Sequence, residues 1–88
     1  MNTFNPKIKN LLNENGQIIR WPKKPPDKSM VIDYLGSKFD YHRTYSEKEV
    51  NAIIITYHIF EDTTLLRREL VSRKLLSRQD DGSEYWKV

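Results

Sequence analysis

Apolar residues in the second half of the chain recur at one-turn spacing in two short blocks. Val50, Ile53, Ile54 and Tyr57 form the first, and Leu66 and Leu70 with Val71 form the second, which predicts two amphipathic helices. The first helix has a marked start. Ser46-Glu47-Lys48-Glu49 is a capping box, in which the serine caps the amide three residues on and the glutamate reaches back. This signal outweighs the β-branched run Ile53-Ile54-Ile55-Thr56, which suits a strand by local propensity. The helix is expected to end near Phe60, with Asp62 capping the next one. The link between them holds neither glycine nor proline, so an ordinary residue such as Glu61 must make the turn. Leu75 and Leu76 lead into a strand. Leu76–Arg78, a tip from Gln79 to Ser83 and Glu84–Val88 predict a hairpin, whose Tyr85-Trp86 pair requires burial or a partner.

The first half is less regular. Asn5 as N-cap, Pro6 at the first helical position, then Ile8, Leu11 and Leu12 predict a short amphipathic helix closed by Gly16. Gln17 to Trp21 alternates weakly and reads as a strand stopped by Pro22. Arg20-Trp21-Pro22-Lys23-Lys24-Pro25-Pro26 reads as a stiff, non-helical basic connector, because each proline biases the residue before it toward extended backbone. From Asp27, taken as a cap, Val31, Ile32, Leu35 and Phe39 give a further helix. Tyr41–Tyr45 follows as a short strand, with Tyr41, Arg43 and Tyr45 on one side and His42 and Thr44 on the other. The order helix, strand, helix, helix, hairpin predicts an α+β winged helix: a helix-turn-helix core with a C-terminal hairpin wing, preceded by a short N-terminal helix and strand. Residues 1–88 are expected to form one domain, with 1–26 as N-terminal helix, strand and connector and 27–88 as the core.

Composition narrows the function classes. The chain has no cysteine, which excludes a disulfide framework and a thiolate zinc site. Its longest strongly apolar run, Ala52–Ile55, is far short of a membrane span, and its N-terminus lacks the pattern of a signal peptide, so a cytoplasmic protein is expected. Net charge is +3, from 15 Lys and Arg against 12 Asp and Glu. Residues 1–45 sum to +4 and residues 46–88 to −1. The helix pair and hairpin therefore do not form the basic half, which weakens a nucleic-acid reading because phosphate neutralisation supplies most non-specific affinity.

Catalysis has little support. His42 and His58 stand in no spacing that implies a metal or a nucleophile with its base, so no catalytic residue, metal or cofactor is assigned. His58 reads as a helix residue at the core edge and His42 as a strand residue facing water. The second helix of the pair offers a better candidate. Thr63, Thr64, Arg67, Arg68 and Arg73 fit a face that enters a major groove, where arginine pairs with guanine and threonine contacts phosphate or a thymine methyl; a solvated face with local ion pairs explains the same residues. Asp80 and Asp81 at the wing tip oppose DNA electrostatically, although a good hairpin turn alone accounts for them. Arg20, Lys23 and Lys24 around Trp21 suit phosphate contacts or a proline-rich partner surface, or else an ordinary connector with Trp21 in the core. Tyr41, Arg43 and Tyr45 suit the wall of a small-ligand pocket or the edge of the core.

Trp21-Pro22-Lys23-Lys24, Tyr41–Arg43, Tyr45–Asn51, Leu66-Arg67-Arg68-Glu69-Leu70-Val71 and Gly82–Trp86 together resemble a bacterial domain-of-unknown-function family sometimes labelled a transcriptional regulator. The resemblance spans Gly16–Trp86 and implies a small winged-helix-like domain. It marks Arg43, Asn51, Arg67 and Arg68 as pattern positions, with no catalytic role. Lys74-Leu75 departs from the glycine expected after the second helix. The leading expectation is a regulator that binds duplex DNA weakly or as a homodimer. The rival is a protein-interaction module using Trp21, the connector and the acidic wing, and a ligand-sensing domain is third.

Overall fold

The computed structural model describes residues 6–88; the cap assigned to Asn5 lies outside them. Pro6–Leu11 form a 3-10 helix instead of the expected amphipathic α-helix. Its residues Ile8 and Leu11 are buried. It stops early because the Asn13 side-chain oxygen accepts the amides of Asn15 and Gln17 at 3.0 and 2.9 Å, turning the chain before a helix of useful length can form.

Gln17–Trp21 does not form the expected strand. Ile18 alone bridges, antiparallel to Leu12 and parallel to His58. Its amide donates to the Tyr57 carbonyl at 2.8 Å, and its carbonyl accepts the Ile59 amide at 3.1 Å. The facing backbone is a helix end and a turn, so the ladder cannot propagate. Ile18 is nevertheless fully buried and ties the N-terminal segment to the link between the second and third helices.

Helix α1 spans Pro25–Gly36 and begins at Pro25, not at Asp27, with Lys24 as its extended N-cap. The last two connector prolines are thus helical, contrary to the sequence reading. The first helical positions tolerate proline because their amides have no intrahelical acceptor. Asp27 sits in the first turn, where its charge suits the helix dipole. Val31, Ile32 and Leu35 are buried, as their spacing predicts; Phe39 is buried too, but from the turn that follows α1, where its amide donates to the Gly36 carbonyl at 3.2 Å, and not as part of the helix.

Strand β1 is only Thr44–Tyr45. The Tyr45 hydroxyl accepts the Asp40 amide at 2.8 Å, so the residues before β1 are folded into a turn and do not extend the strand. The common side expected for Tyr41, Arg43 and Tyr45 is lost: Tyr45 is buried while Tyr41 is 61% exposed.

Helix α2, Glu47–Thr56, starts at the expected capping box, with the Glu49 amide donating to Ser46 Oγ at 3.1 Å and the Ser46 amide to Glu49 Oε1 at 2.9 Å. It ends four residues before Phe60, and His58 explains why. His58 is buried, with Nδ1 2.6 Å from the Ile54 carbonyl, and its Nε2 accepts the Asp62 amide at 3.2 Å. Nε2 is the acceptor, so Nδ1 carries the proton. The imidazole thus satisfies a helix-end carbonyl and anchors the turn to the next helix. Glu61 makes that turn with φ +57°, a left-handed conformation unusual for a side-chain-bearing residue. Asp62 then caps α3, Thr63–Ser72, by accepting the Leu65 amide at 3.3 Å.

At the end of α3 the Leu75 amide donates to the Leu70 carbonyl at 2.9 Å and the Lys74 amide to the Val71 carbonyl at 3.0 Å, the paired bonds of a Schellman motif. Lys74 takes the left-handed position of that motif, φ +63°, where glycine is the ordinary choice. Strands β2, Leu76–Arg78, and β3, Tyr85–Lys87, form the predicted hairpin. The antiparallel sheet has the order β1-β3-β2. Tyr85 and Leu76 pack with Val50, Ile54, Leu66, Leu70 and the buried residues of α1 into one core, and Trp86 is half-buried. Among the described residues the architecture is α+β, three α-helices and a three-stranded antiparallel sheet, an arrangement compatible with a winged-helix-like domain. No helix among them is long and apolar enough to cross a membrane.

Candidate functional site

The Ser46 cap fixes where α2 begins and therefore which face its first turns present. Glu47 and Asn51, four residues apart, share that face, and both meet Arg67 of α3. Arg67 Nη1 donates to Asn51 Oδ1 at 2.6 Å, and Arg67 Nε lies 3.8 Å from Glu47 Oε1. The Arg67 side chain is only 19% exposed. The same Glu47 oxygen accepts the Tyr85 hydroxyl at 3.1 Å. Burial, and then the hydrogen bond and charge of Glu47, push the Tyr85 phenol above its ordinary pKa; it remains a donor at neutral pH. One polar network thus joins α2, α3 and β3.

A groove of about 360 Å³ opens beside this network. Arg67, Arg68, Val71 and Ser72 of α3 form one wall, and Arg78 of β2 with Tyr85 and Glu47 form the other. Arg78 pairs directly across the hairpin with Tyr85, so their side chains lie on one face of the sheet. The hairpin tip, where Gly82 has φ +75°, forms the rim: a Cβ on Gly82 would stand 3.7 Å from Arg78 Nη1 and 3.8 Å from Glu47 Oε1. Three guanidiniums face one carboxylate, a formal +2. Arg68 and Arg78 have no hydrogen-bond or ion-pair acceptor among the described residues.

The other sequence candidates are distributed as follows. Thr63 is half-buried and Thr64 exposed at the start of α3. Arg73, at the far end, pairs with Glu69 at 2.8 Å and donates to Ser29 Oγ at 2.9 Å, clamping α3 to α1. Arg43 pairs with Glu49 at 2.8 Å and lies over the Tyr45 ring at 4.5 Å; Tyr45 itself belongs to the core, edge-on to Phe39 at 5.2 Å. Lys87 covers the Tyr41 ring at 4.4 Å. Arg20, Trp21, Lys23 and Lys24 line a second cleft of about 280 Å³ with Pro22 and Asp27. There Trp21 is half-buried, with Lys28 5.6 Å from its ring centroid.

Glu47, Ser72, Arg78 and Tyr85 were not among the sequence candidates. The hairpin register gave a usable signal, since a tip centred on Asp81-Gly82 sets Arg78 opposite Tyr85. The positions of α2 and α3 against that hairpin had none. At the wing tip, Asp81 Oδ1 accepts the Ser83 amide at 2.9 Å, and hydrogen bonds to Ser83 hold its carboxyl below the usual range. This carboxylate serves the turn itself. Among the described residues no three His, Asp or Glu side chains are grouped to hold a metal ion.

Fold and groove together define a small α+β domain in which a capped helix pair and a hairpin enclose a basic groove. The chain belongs to a bacterial family described as "Uncharacterized protein conserved in bacteria (DUF2087)", whose model matches residues 17–87. That agrees with the resemblance to a bacterial family of unknown function. No curated protein and no solved structure matches the chain.

Proposed function

We propose that this protein is a winged-helix-like DNA-binding protein acting in transcription regulation, with the outer face of α3 in the major groove and the hairpin as the wing. The observation that carries the reading is that Arg68 on α3 and Arg78 on the hairpin line the same groove without a carboxylate partner. Helix and wing therefore offer cations to the same side, the arrangement a duplex requires for base contacts flanked by phosphate contacts. The sheet order β1-β3-β2 and the element order support it, as does the exposure of Thr64 and Arg68 near the Asp62-capped end. Asp80 remains an unfavourable charge at the tip. A single module of this size buries a modest interface, so specific binding calls for two copies.

The test is an amide NMR titration of labelled protein with a mixed-sequence duplex at low and then physiological salt. Shifts at Thr63–Arg68 and Arg78 that weaken with salt are expected; no shifts at low salt would overturn the reading. The half-buried Trp21 in its basic cleft favours a second reading, a protein-interaction module. It predicts capture of a partner that is lost in Trp21→Ala and kept in Arg68→Ala.

A further inference from the structure

We infer that the groove between α3 and the hairpin is a phosphate-binding site, in which Arg68 and Arg78 take the anion from two sides and Arg67 is the positioning residue. The inference deepens the DNA reading and rests on it only for the source of the phosphate.

Stoichiometry of donors and acceptors is the first argument. The groove's one carboxylate, Glu47, already accepts the Tyr85 hydroxyl at 3.1 Å and faces Arg67 Nε at 3.8 Å. Arg68 and Arg78 bond neither to it nor to any other described residue, and each carries a planar fork of N–H donors that matches phosphate oxygens two at a time. A carboxylate ligand has two oxygens, enough for one fork. Two forks approaching from different elements, with Ser72 on the α3 wall, call for an anion with more than two acceptor oxygens. A phosphoryl group has that shape.

Preorganisation is the second argument. Arg67 is held by Asn51 at 2.6 Å and by Glu47, with its side chain largely withdrawn from water. Its charge is consequently fixed in place and less screened than that of a solvated arginine. It contributes positive potential to the groove and fixes the spacing of α2 and α3, while Arg68, the next residue, is free to reach the ligand. Arg78 is set opposite Tyr85 by the strand register, and Tyr85 is tied through Glu47 to the same network. The hairpin and helix arginines are thus referenced to one another before any anion arrives.

The phosphoryl group has two candidate sources, the diester of a DNA backbone and the monoester of a free phosphorylated molecule. The experiment records backbone amide and arginine Nε–H shifts of the 88-residue protein titrated with inorganic phosphate, with acetate at matched ionic strength, and with a mixed-sequence duplex. Saturable shifts at Ser72 and the Nε–H groups of Arg68 and Arg78 are expected with phosphate and not with acetate. Arg68→Gln and Arg78→Gln, both at exposed positions, should each weaken phosphate binding about tenfold with an unchanged melting temperature; Arg78→Lys, which keeps the charge and loses the fork, should fall between. For the positioning role, Asn51→Ala should broaden the Arg67 Nε–H signal and weaken phosphate binding although Asn51 does not line the groove.

If phosphate and duplex shift the same groove signals and compete, the site stands with the DNA backbone as its source. If phosphate shifts them and the duplex shifts nothing, the site stands with a free phosphorylated ligand, and the DNA reading fails alone. If the duplex binds but neither phosphate nor Arg78→Gln has any effect in the groove, the site is overturned while the DNA reading survives. If neither ligand shifts any signal, both are overturned.

Discussion

The groove beside α3 and the cleft around Trp21 are of similar size, about 360 and 280 Å³, and both are basic, yet they are built in opposite ways. The Trp21 cleft is local. All of its walls come from residues 20–27, shaped by Pro22 and by the prolines that open α1, and Arg20, Lys23 and Lys24 make no side-chain hydrogen bond or ion pair among the described residues. The α3 groove draws on α2, α3, β2 and β3, and the backbone positions that carry Arg68 and Arg78 are set by bonds of their neighbours that close long loops, Arg67 to Asn51 across 16 residues and Tyr85 to Glu47 across 38. Charge close to a surface is common and adds non-specific attraction. Charge carried on backbone positions fixed by tertiary contacts is better suited to recognising a particular group. On this ground the groove, and not the cleft of equal formal charge around Trp21, carries the proposed function.

The largest expected effect separates the two directly. In the doubly substituted Arg68→Ala, Arg78→Ala protein, duplex affinity at low salt should fall roughly a hundredfold, and the slope of log affinity against log salt should flatten by about 1.8, the share of two phosphate contacts. Replacing Arg20, Lys23 and Lys24 together by alanine removes three charges instead of two. It should nevertheless cost less affinity, with the groove shifts preserved. A triple variant that loses more than the groove pair would reverse the comparison and make the connector the principal nucleic-acid surface.

Next in size is the stability effect of Arg67→Ala. Arg67 makes a charge-assisted hydrogen bond in a partly buried site, and its removal leaves Asn51 Oδ1 without its donor and Glu47 without its ion-pair partner. A loss of about 1–2 kcal/mol in denaturant unfolding is expected, the lower part of the range for such bonds because Glu47 is half exposed. Trp21→Ala should also destabilise by loss of packing against the core, but it should not alter the coupling between Arg67 and Asn51. A double-mutant cycle on Arg67 and Asn51 that returned no coupling energy would remove Arg67 from its positioning role.

This contrast also governs how much of the molecule could be read from its sequence. The Ser46 box, the Asp62 cap, the Glu61 turn and the hairpin were all legible because each is encoded within a few adjacent residues. The basic character of the connector was legible for the same reason. The end of α2 was missed because the ligand of its last carbonyls is a histidine side chain, His58, whose inward position depends on the α3 cap beyond it and on Ile18 from the N-terminal segment. Reading Gln17–Trp21 as a strand failed because alternation says nothing about what lies opposite, here a helix end. At the candidate site, Arg67 and Arg68 were visible as an outer face. That one would be withdrawn into a network and the other left free depends on α2's approach, which no spacing within α3 reports.

Lys74 gives a smaller effect, and one independent of either cleft. Its left-handed backbone at the end of α3 is strained for a residue with a Cβ, and the Schellman bonds around it are already formed. Lys74→Gly should therefore stabilise the domain by about 0.5–1 kcal/mol, the relief of strain exceeding the added entropy of the unfolded chain. Duplex binding should be unchanged apart from the lost charge. Destabilisation would mean that the lysine stem contributes packing that outweighs the strain.

The smallest effect concerns pH and tests whether the groove depends on the first turn of α2. The Ser46 backbone amide and then Arg43 hold the Glu49 carboxyl below its usual range. A depressed folded-state value means that ionised Glu49 stabilises the fold at pH above its unfolded value, near 4.5, and that this contribution is lost as pH falls through the folded value. Glu49→Gln keeps an acceptor for the Ser46 amide but does not titrate. It should therefore be slightly less stable than wild type at neutral pH and should show a shallower fall in melting temperature below about pH 4.5. The capping box also sets Glu47, one residue past the cap, against Arg67 and Tyr85. If acidification loosens the box, the Arg67 Nε–H signal should broaden in wild type at a pH where Glu49→Gln still shows it sharp. Identical broadening in both proteins would assign the change to Glu47 itself and leave the groove's organisation independent of the cap.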